Sequence, residues 1–191
     1  MNLIKNKANY ELTVKNSCFI CNIGYADTKA VALEFIEKIK KRYIDASHNC
    51  YAYILLDNMA SSDNGEPTHT AGLPIINVLK KQNIVNVVCV VTRYYGGIKL
   101  GIGGLVRAYT KCTVECLKNI EIVPYIENIK ISFMANYNKI NEIENLLSKY
   151  NQNKKIFNAN IELEYTIPKI QLNQITKSLH NLNIQKIDLI K

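Results

Sequence analysis

The sequence predicts an α+β protein in two parts, and three features carry that prediction. Residues 84–92 (IVNVVCVVT) are almost wholly apolar and β-branched, as a central strand should be. Residues 28–43 place Val31, Phe35, Ile39 and Tyr43 at four-residue spacing, the stripe of an amphipathic helix. After Pro124 the texture changes: all eight glycines precede Leu105, and short strand and helix patterns follow in a simple order. A chain of 191 residues can bury a real core as one large or two small domains.

In chain order, residues 11–14 and 17–23 read as a hairpin or two successive strands. The helix over 28–43 adds Glu34 with Lys38 and Glu37 with Lys41 as supporting pairs on its wet side. Residues 49–56 (NCYAYILL) read as a strand, followed by a polar loop and a short helix over 75–81. A second loop, 94–104, leads from the central strand into a helix over 105–117. In the second part, 129–137, 155–160, 161–167 and 186–190 read as strands. Helices over 139–150 and 171–181 interleave with them. That βαββαβ order is the ferredoxin-like arrangement of two helices over one antiparallel sheet. The expected domains are 1–122 and 123–191.

The formal charge of +8 is built from 21 Lys and only three Arg: Arg42, Arg93 and Arg107. Lys, Asn and Ile are residues of A/T-rich codons, so part of that charge reflects composition. Both sides of Pro124 carry the excess, +5 before it and +3 after it, and neither is a basic tail. Attraction to polyanions is therefore a general expectation rather than a specific one. No apolar run approaches the ~18 residues of a membrane span, and the first ten residues lack the apolar stretch of a signal peptide. A cytoplasmic location with no membrane partner is expected, and with it six cysteines held as thiols. Cys18 and Cys21 form a C-x-x-C, with His48 and Cys50 as an imaginable other half of a zinc site. On a strand, residues three apart face opposite sides, whereas zinc needs both thiolates converging, so no metal site is expected there. No cofactor is expected either. Cys112 and Cys116, four apart in line with Leu105 and Ala108, read as a core stripe.

Seven of the eight glycines fall between Gly65 and Gly104, together with the most unusual polar residues. The first cluster, SSDNGEPTHTAG over 61–72, contains an Asn-Gly turn, and Thr70 is placed to cap the helix that follows. The second, RYYGGIKLGIGG over 93–104, follows an apolar strand and opens a helix, so bare amides converge near a helix N-terminus. Neither nucleotide signature is met. After the spacing Gly96 to Gly101 a phosphate-binding Walker loop needs Lys and Ser/Thr, but Ile102 and Gly103 follow. The dinucleotide pattern from Gly101 and Gly103 puts its third glycine on Val106. The expected anion-binding set is His48, Asp63, Gly65, Glu66, Thr68, Thr70, Arg93, Tyr94, Gly96, Gly97, Lys99, Gly101, Gly103, Gly104 and Arg107. The competing reading is that the glycines only permit tight turns and close packing.

Three stretches carry a family resemblance: HNCYAY from His48, DNGEPTHTAGLP from Asp63 to Pro74, and VVTRYYGGIKLGIGGLVRAY ending at Tyr109. In order and over the whole chain, the sequence resembles the IMPACT family, including its bacterial YigZ-type members. The resemblance implies an N-terminal domain similar to the second domain of ribosomal protein S5. It also implies a C-terminal module like domains of ribosomal translocation factors. His69 departs from the family pattern, which has Gly or Ser there. In eukaryotic members, regulation of the amino-acid-starvation kinase and its stress response involves a further N-terminal domain, and that activity is not carried over.

Three functions remain open on the residues. The first is a noncatalytic regulator or binding protein in translation, contacting RNA, the ribosome or a translation factor through the glycine-rich basic site. The second is an enzyme acting on a small anionic ligand, with Asp63 and Glu66 as acid, base or metal ligand. No nucleophile motif supports that reading. Asp63 as a turn cap and Glu66 as an ion-pair partner of Arg93 fit the same residues. The third is a module whose ligand is another protein.

Overall fold

The computed structural model describes residues 1–190. The chain divides into two compact units, Met1–Tyr125 and one that begins at Ile126. In chain order the first holds β1 (Asn2–Ile4), β2 (Ala8–Val14), β3 (Ser17–Tyr25), α1 (Lys29–Arg42), β4 (His48–Ile54) and β5 (Met59–Ser62). It continues through α2 (Gly72–Lys81), β6 (Val87–Tyr94), α3 (Gly101–Leu117) and β7 (Ile122–Pro124). Five strands form one antiparallel sheet in the order β2-β3-β6-β4-β5.

β6 is the middle strand, and its alternation sorts the core into two layers. Val87, Cys89 and Val91 join α2 and α3 on one face, and Val88 and Val90 join α1 on the other. Because both faces are covered, β6 is buried from Val87 to Arg93 and reads as an unbroken apolar run. The β2–β3 hairpin closes through Lys15 and Asn16, both at positive φ, the turn whose twist matches a two-residue connection. β1 pairs with β7 and ties the two ends of this unit together; Tyr125 then donates its N–H to the carbonyl of Met1.

Several expectations shift. Thr28 caps α1 by accepting from the N–H of Val31, so the helix begins as expected. Its buried stripe is Ala32, Ile36 and Ile39, whereas Val31 stays 39% exposed. Glu37 pairs with Lys40 one turn away, and the expected Glu34–Lys38 and Glu37–Lys41 pairs are not formed. The polar loop after β4 contains a short edge strand, β5, which Met59-Ala60-Ser61-Ser62 does not announce by composition. α3 begins four residues earlier than predicted, with three of its glycines in its first turn.

The second unit runs β8 (Asn128–Ala135), α4 (Ile140–Leu147), β9 (Asn151–Phe157), β10 (Ile161–Pro168), α5 (Leu172–Asn181) and β11 (Ile187–Ile190). A 3₁₀ turn precedes each helix. Its antiparallel sheet has the order β11-β8-β10-β9. β10 buries Ile161, Leu163, Tyr165 and Ile167 in strict alternation, against Ile143 and Leu147 of α4 and Ile175 and Leu179 of α5. β9 starts earlier and ends earlier than predicted, with its connection to β10 over residues 158–160.

Candidate functional site

Period-two alternation brings Phe19 of β3, His48 and Cys50 of β4 and Arg93 of β6 onto the sheet face that α2 and α3 cover. Arg93 and Phe19 are register partners, as are Arg93 and His48. The Arg93 side chain runs inward. Its Nη1 donates to Glu66 Oε1 at 2.7 Å, and its Nη2 donates to Ser17 Oγ at 3.3 Å. The rings of Phe19 and Tyr95 lie 5.3 and 5.5 Å from the guanidinium carbon. Tyr109 of α3 donates its hydroxyl to the same Glu66 oxygen at 2.8 Å and packs edge-on against Phe19. Glu66 and Arg93 are 8% and 5% exposed, so their charges meet out of water. A buried charge is tolerated when it is paired and hydrogen-bonded; Arg93 is so through Nη1 and Nη2, while its Nε has no partner.

His48 stands at the rim. Its Nδ1 donates to the carbonyl of Asn64 at 2.9 Å, which turns Nε2 toward Glu66 Oε2, 3.9 Å away and beyond a hydrogen bond. Beside it Gly65 holds φ +86°, and a Cβ there would sit 3.3 Å from His48 Nδ1. Burial, only partly offset by the hydrogen bond with Tyr109, pushes the Cys50 thiol up to about 12. It therefore stays protonated and donates to the carbonyl of Asp63 at 2.9 Å. Burial also drives the Tyr109 hydroxyl well above the usual phenol range, which keeps it a donor to Glu66. A neutral thiol and a neutral phenol are poor nucleophiles, so the cluster has the chemistry of a strut.

Asp63 is spent on the backbone. Its Oδ2 accepts from the N–H of His69 and its Oδ1 from those of Ala71 and Gly72, at 2.8–2.9 Å. Partial burial works against its ionisation, but these three N–H groups outweigh it and hold its carboxyl below the usual range. Asp63 is thus the cap of α2, reached across nine residues. Thr70, expected in that role, turns its hydroxyl back to the carbonyl of Pro67 and is itself buried. His69 sits at φ +64°, a left-handed position that glycine occupies without strain. Thr68 is exposed.

The second glycine cluster is divided between packing and exposure. Gly96 has no room for a side chain: a Cβ would lie 2.0 Å from the carbonyl carbon of Asn16, and its N–H donates to Ser17 Oγ. Tyr94 is half-buried and its hydroxyl donates to Asp45. Gly97 and Gly101 take φ +82° and +71° with open space where a side chain would go. Lys99, Gly101, Gly103 and Arg107 are exposed, and Gly104 is half-buried. The start of α3 has no side-chain cap and no acidic residue in its first turn. The Arg107 guanidinium folds back over that turn, 3.4 Å from where a Cβ on Gly103 would be.

The two loops therefore meet through Glu66, Arg93 and Tyr109. Arg93 faces inward to a carboxylate, while Lys99 and Arg107 make no hydrogen bond to that cluster among the described residues. Ser17, Cys50, Asn64 and Tyr109 complete the cluster and were not anticipated. Tyr109 lies within the third sequence stretch and carried no pattern signal beyond helical spacing. Cys18 is half-buried and Cys21 fully buried, and Cys112 and Cys116 lie in the core. Among the described residues no three His, Cys, Asp or Glu side chains are placed to share a metal ion, and no helix is long and apolar enough to cross a membrane.

Fold and site together define a two-unit α+β protein whose first unit locks a buried Glu–Arg–Tyr cluster behind a glycine-rich helix start. Residues 15–117 match the family described as the Impact N-terminal domain. Among curated relatives, the IMPACT family member YvyE of Bacillus subtilis (strain 168) is 37% identical, over 97% of this chain and 88% of that protein. The IMPACT family member YigZ of Escherichia coli (strain K12) is 28% identical, over 93% and 90%. The chain belongs to the IMPACT family. A solved structure described as a hypothetical protein superposes with a TM-score of 0.69 at 26% identity, over 99% of this chain and 95% of that one.

Proposed function

We propose that the protein is a noncatalytic binding protein linked to translation, contacting RNA, the ribosome or a translation factor through the basic start of α3. The observation that carries this reading is the exposed first turn of α3. Uncapped backbone N–H groups at Gly101, Ile102 and Gly103 stand there with no acidic neighbour in the turn and Arg107 folded over it. Lys99 immediately precedes it. Orphan amides, the positive end of the helix dipole and two cations favour a phosphate. The family resemblance supports the link to translation. So does our fold reading: a first unit like the second domain of ribosomal protein S5 and a ferredoxin-like second unit. The βαββαβ order and the β11-β8-β10-β9 sheet support the latter. The cytoplasm is the compartment that suits this role and six thiols.

The enzymatic alternative is weaker on this geometry. Both oxygens of Asp63 are taken by backbone amides, and Glu66 Oε1 is taken by Arg93 and Tyr109. Asp63 keeps no free oxygen, and Glu66 keeps only Oε2, on a residue that is 8% exposed and already ion-paired with Arg93, a poor position for exchanging protons with a ligand. The test is binding of the full chain to ribosomes and to single-stranded RNA, comparing wild type with Lys99→Ala/Arg107→Ala. The double substitution should weaken binding and flatten its salt dependence. Undiminished binding rejects the α3 start as the contact.

A further inference from the structure

A second concavity lies on the other face of the sheet, between α1 and the β2–β3 hairpin, away from the start of α3. It has a volume of about 240 Å³, the room of roughly eight waters. Asn22, Lys7, Lys38, Arg42, Phe35 and Ile39 line it. Its most informative residue is Asn22, which is 6% exposed and whose Nδ2 has no hydrogen-bond partner. A buried amide normally finds a partner, and leaving one unsatisfied costs about 1–3 kcal/mol. Amide oxygen and nitrogen exchange by a half-turn, so this side chain can offer either a donor or an acceptor to the cavity.

Three cations line the same cavity. Lys7 comes from the approach to β2, and Lys38 and Arg42 lie one turn apart on α1. Among the described residues none of the three has a salt-bridge partner, and the lining includes no carboxylate. Basic residues in the last turn of α1 complement its negative end, which accounts for Arg42 in part. It accounts for neither Lys7, from a different element, nor the unsatisfied amide. Phe35 and Ile39 add an apolar wall; Phe35 is fixed by Gly24, where a Cβ would come within 2.6 Å of its ring.

We infer that this cavity is a binding site for a small phosphate monoester with an apolar body, independent of the α3 surface. A monoester is close to a dianion at neutral pH, which suits three cations, and the guanidinium fork of Arg42 matches phosphate oxygens. The amide of Asn22 satisfies its free donor on the ligand, and the organic part lies against Phe35 and Ile39. The recess between α1 and the hairpin, at about 240 Å³, has the size for one small ligand.

The test is titration of the isotope-labelled full chain with phenyl phosphate, and separately with phenol, followed by NMR. Phenyl phosphate should shift the Asn22 side-chain amide pair and the backbone amides of Ala8, Asn9 and Ile23 along one saturable curve. Phenol should not saturate. Lys38→Gln/Arg42→Gln alters only exposed side chains and should weaken binding by about tenfold or more, the size of one lost charge-assisted contact. Lys99→Ala/Arg107→Ala should leave it unchanged. Small, unsaturable shifts spread over surface lysines would overturn the inference. So would an unmoved Asn22 amide, equal affinity for phenol, or an unchanged dissociation constant in Lys38→Gln/Arg42→Gln. Because the two sites carry different substitutions, failure here and failure of the α3 reading are told apart.

Discussion

Arg93 Nη1 lies 2.7 Å from Glu66 Oε1, and the Tyr109 hydroxyl reaches the same oxygen at 2.8 Å. One carboxylate thus joins the central strand, the 63–72 loop and the long helix. Both ends of the ion pair are almost completely buried, which makes it a fixed element of the fold. Its worth lies in what happens when one partner is removed, because the survivor is left as an uncompensated charge.

Glu66→Gln keeps the shape and deletes the charge. It should destabilise the first unit by about 3–5 kcal/mol in urea denaturation, the cost of stranding Arg93. Glu66→Gln/Arg93→Met should lose less than the sum of the two single changes, since neither charge then remains. A single-variant loss below about 0.5 kcal/mol would mean that water reaches the pair.

Asp63→Ala removes the acceptor for three backbone N–H groups at the start of α2 and should cost about 1–2 kcal/mol at neutral pH. The folded-state value of Asp63 lies below 3.8, so its contribution is complete above that value and fades as pH falls through the lower, folded one. The gap in Tm between wild type and Asp63→Ala should therefore close in acid and stay constant from pH 5 to 8, measured by calorimetry. A gap that widens on acidification would contradict the assignment.

Two glycines a few residues apart should behave oppositely. Gly96→Ala drives a methyl into the backbone of Asn16 and should destabilise by several times the ~1 kcal/mol of an ordinary glycine change. Gly103 is helical and its near neighbour is the movable end of Arg107, so Gly103→Ala should stabilise by about 0.5–1 kcal/mol. If Gly103→Ala also weakens ribosome or RNA binding, the glycine serves a close backbone approach. Thermal melts beside binding isotherms decide both.

The sequence made the repeating elements legible and left the pairings that hold the site hidden. The unbroken apolar run of β6 and the alternation in β10 follow from burial on two faces and on one. The β1–β7 pair was not readable, because three-residue strands 118 positions apart carry no local pattern. α3 was begun too late because glycine argues against a helix interior, although Gly101–Gly104 form its first turn. The cap of α2 fell to Asp63 instead of the nearer Thr70, since loop geometry and not spacing decides which oxygen meets the free amides. The sequence points to both Glu66 and Arg93, and pairing is one of the readings it allows. Spacing could not say that the guanidinium turns into the core, leaving Lys99 and Arg107 as the outward cations.

The most direct test is the salt dependence of ribosome or RNA binding for wild type, Lys99→Ala/Arg107→Ala and Glu66→Gln/Arg93→Met. If α3 presents the contact and the buried pair only supports it, the slope of log K against log salt should shrink by about 1–2 when Lys99 and Arg107 are removed. It should be unchanged in the variant that neutralises the interior, provided that variant is folded. An unaltered slope without Lys99 and Arg107, or a slope that falls only when Arg93 is replaced, would place the contact elsewhere and contradict the account.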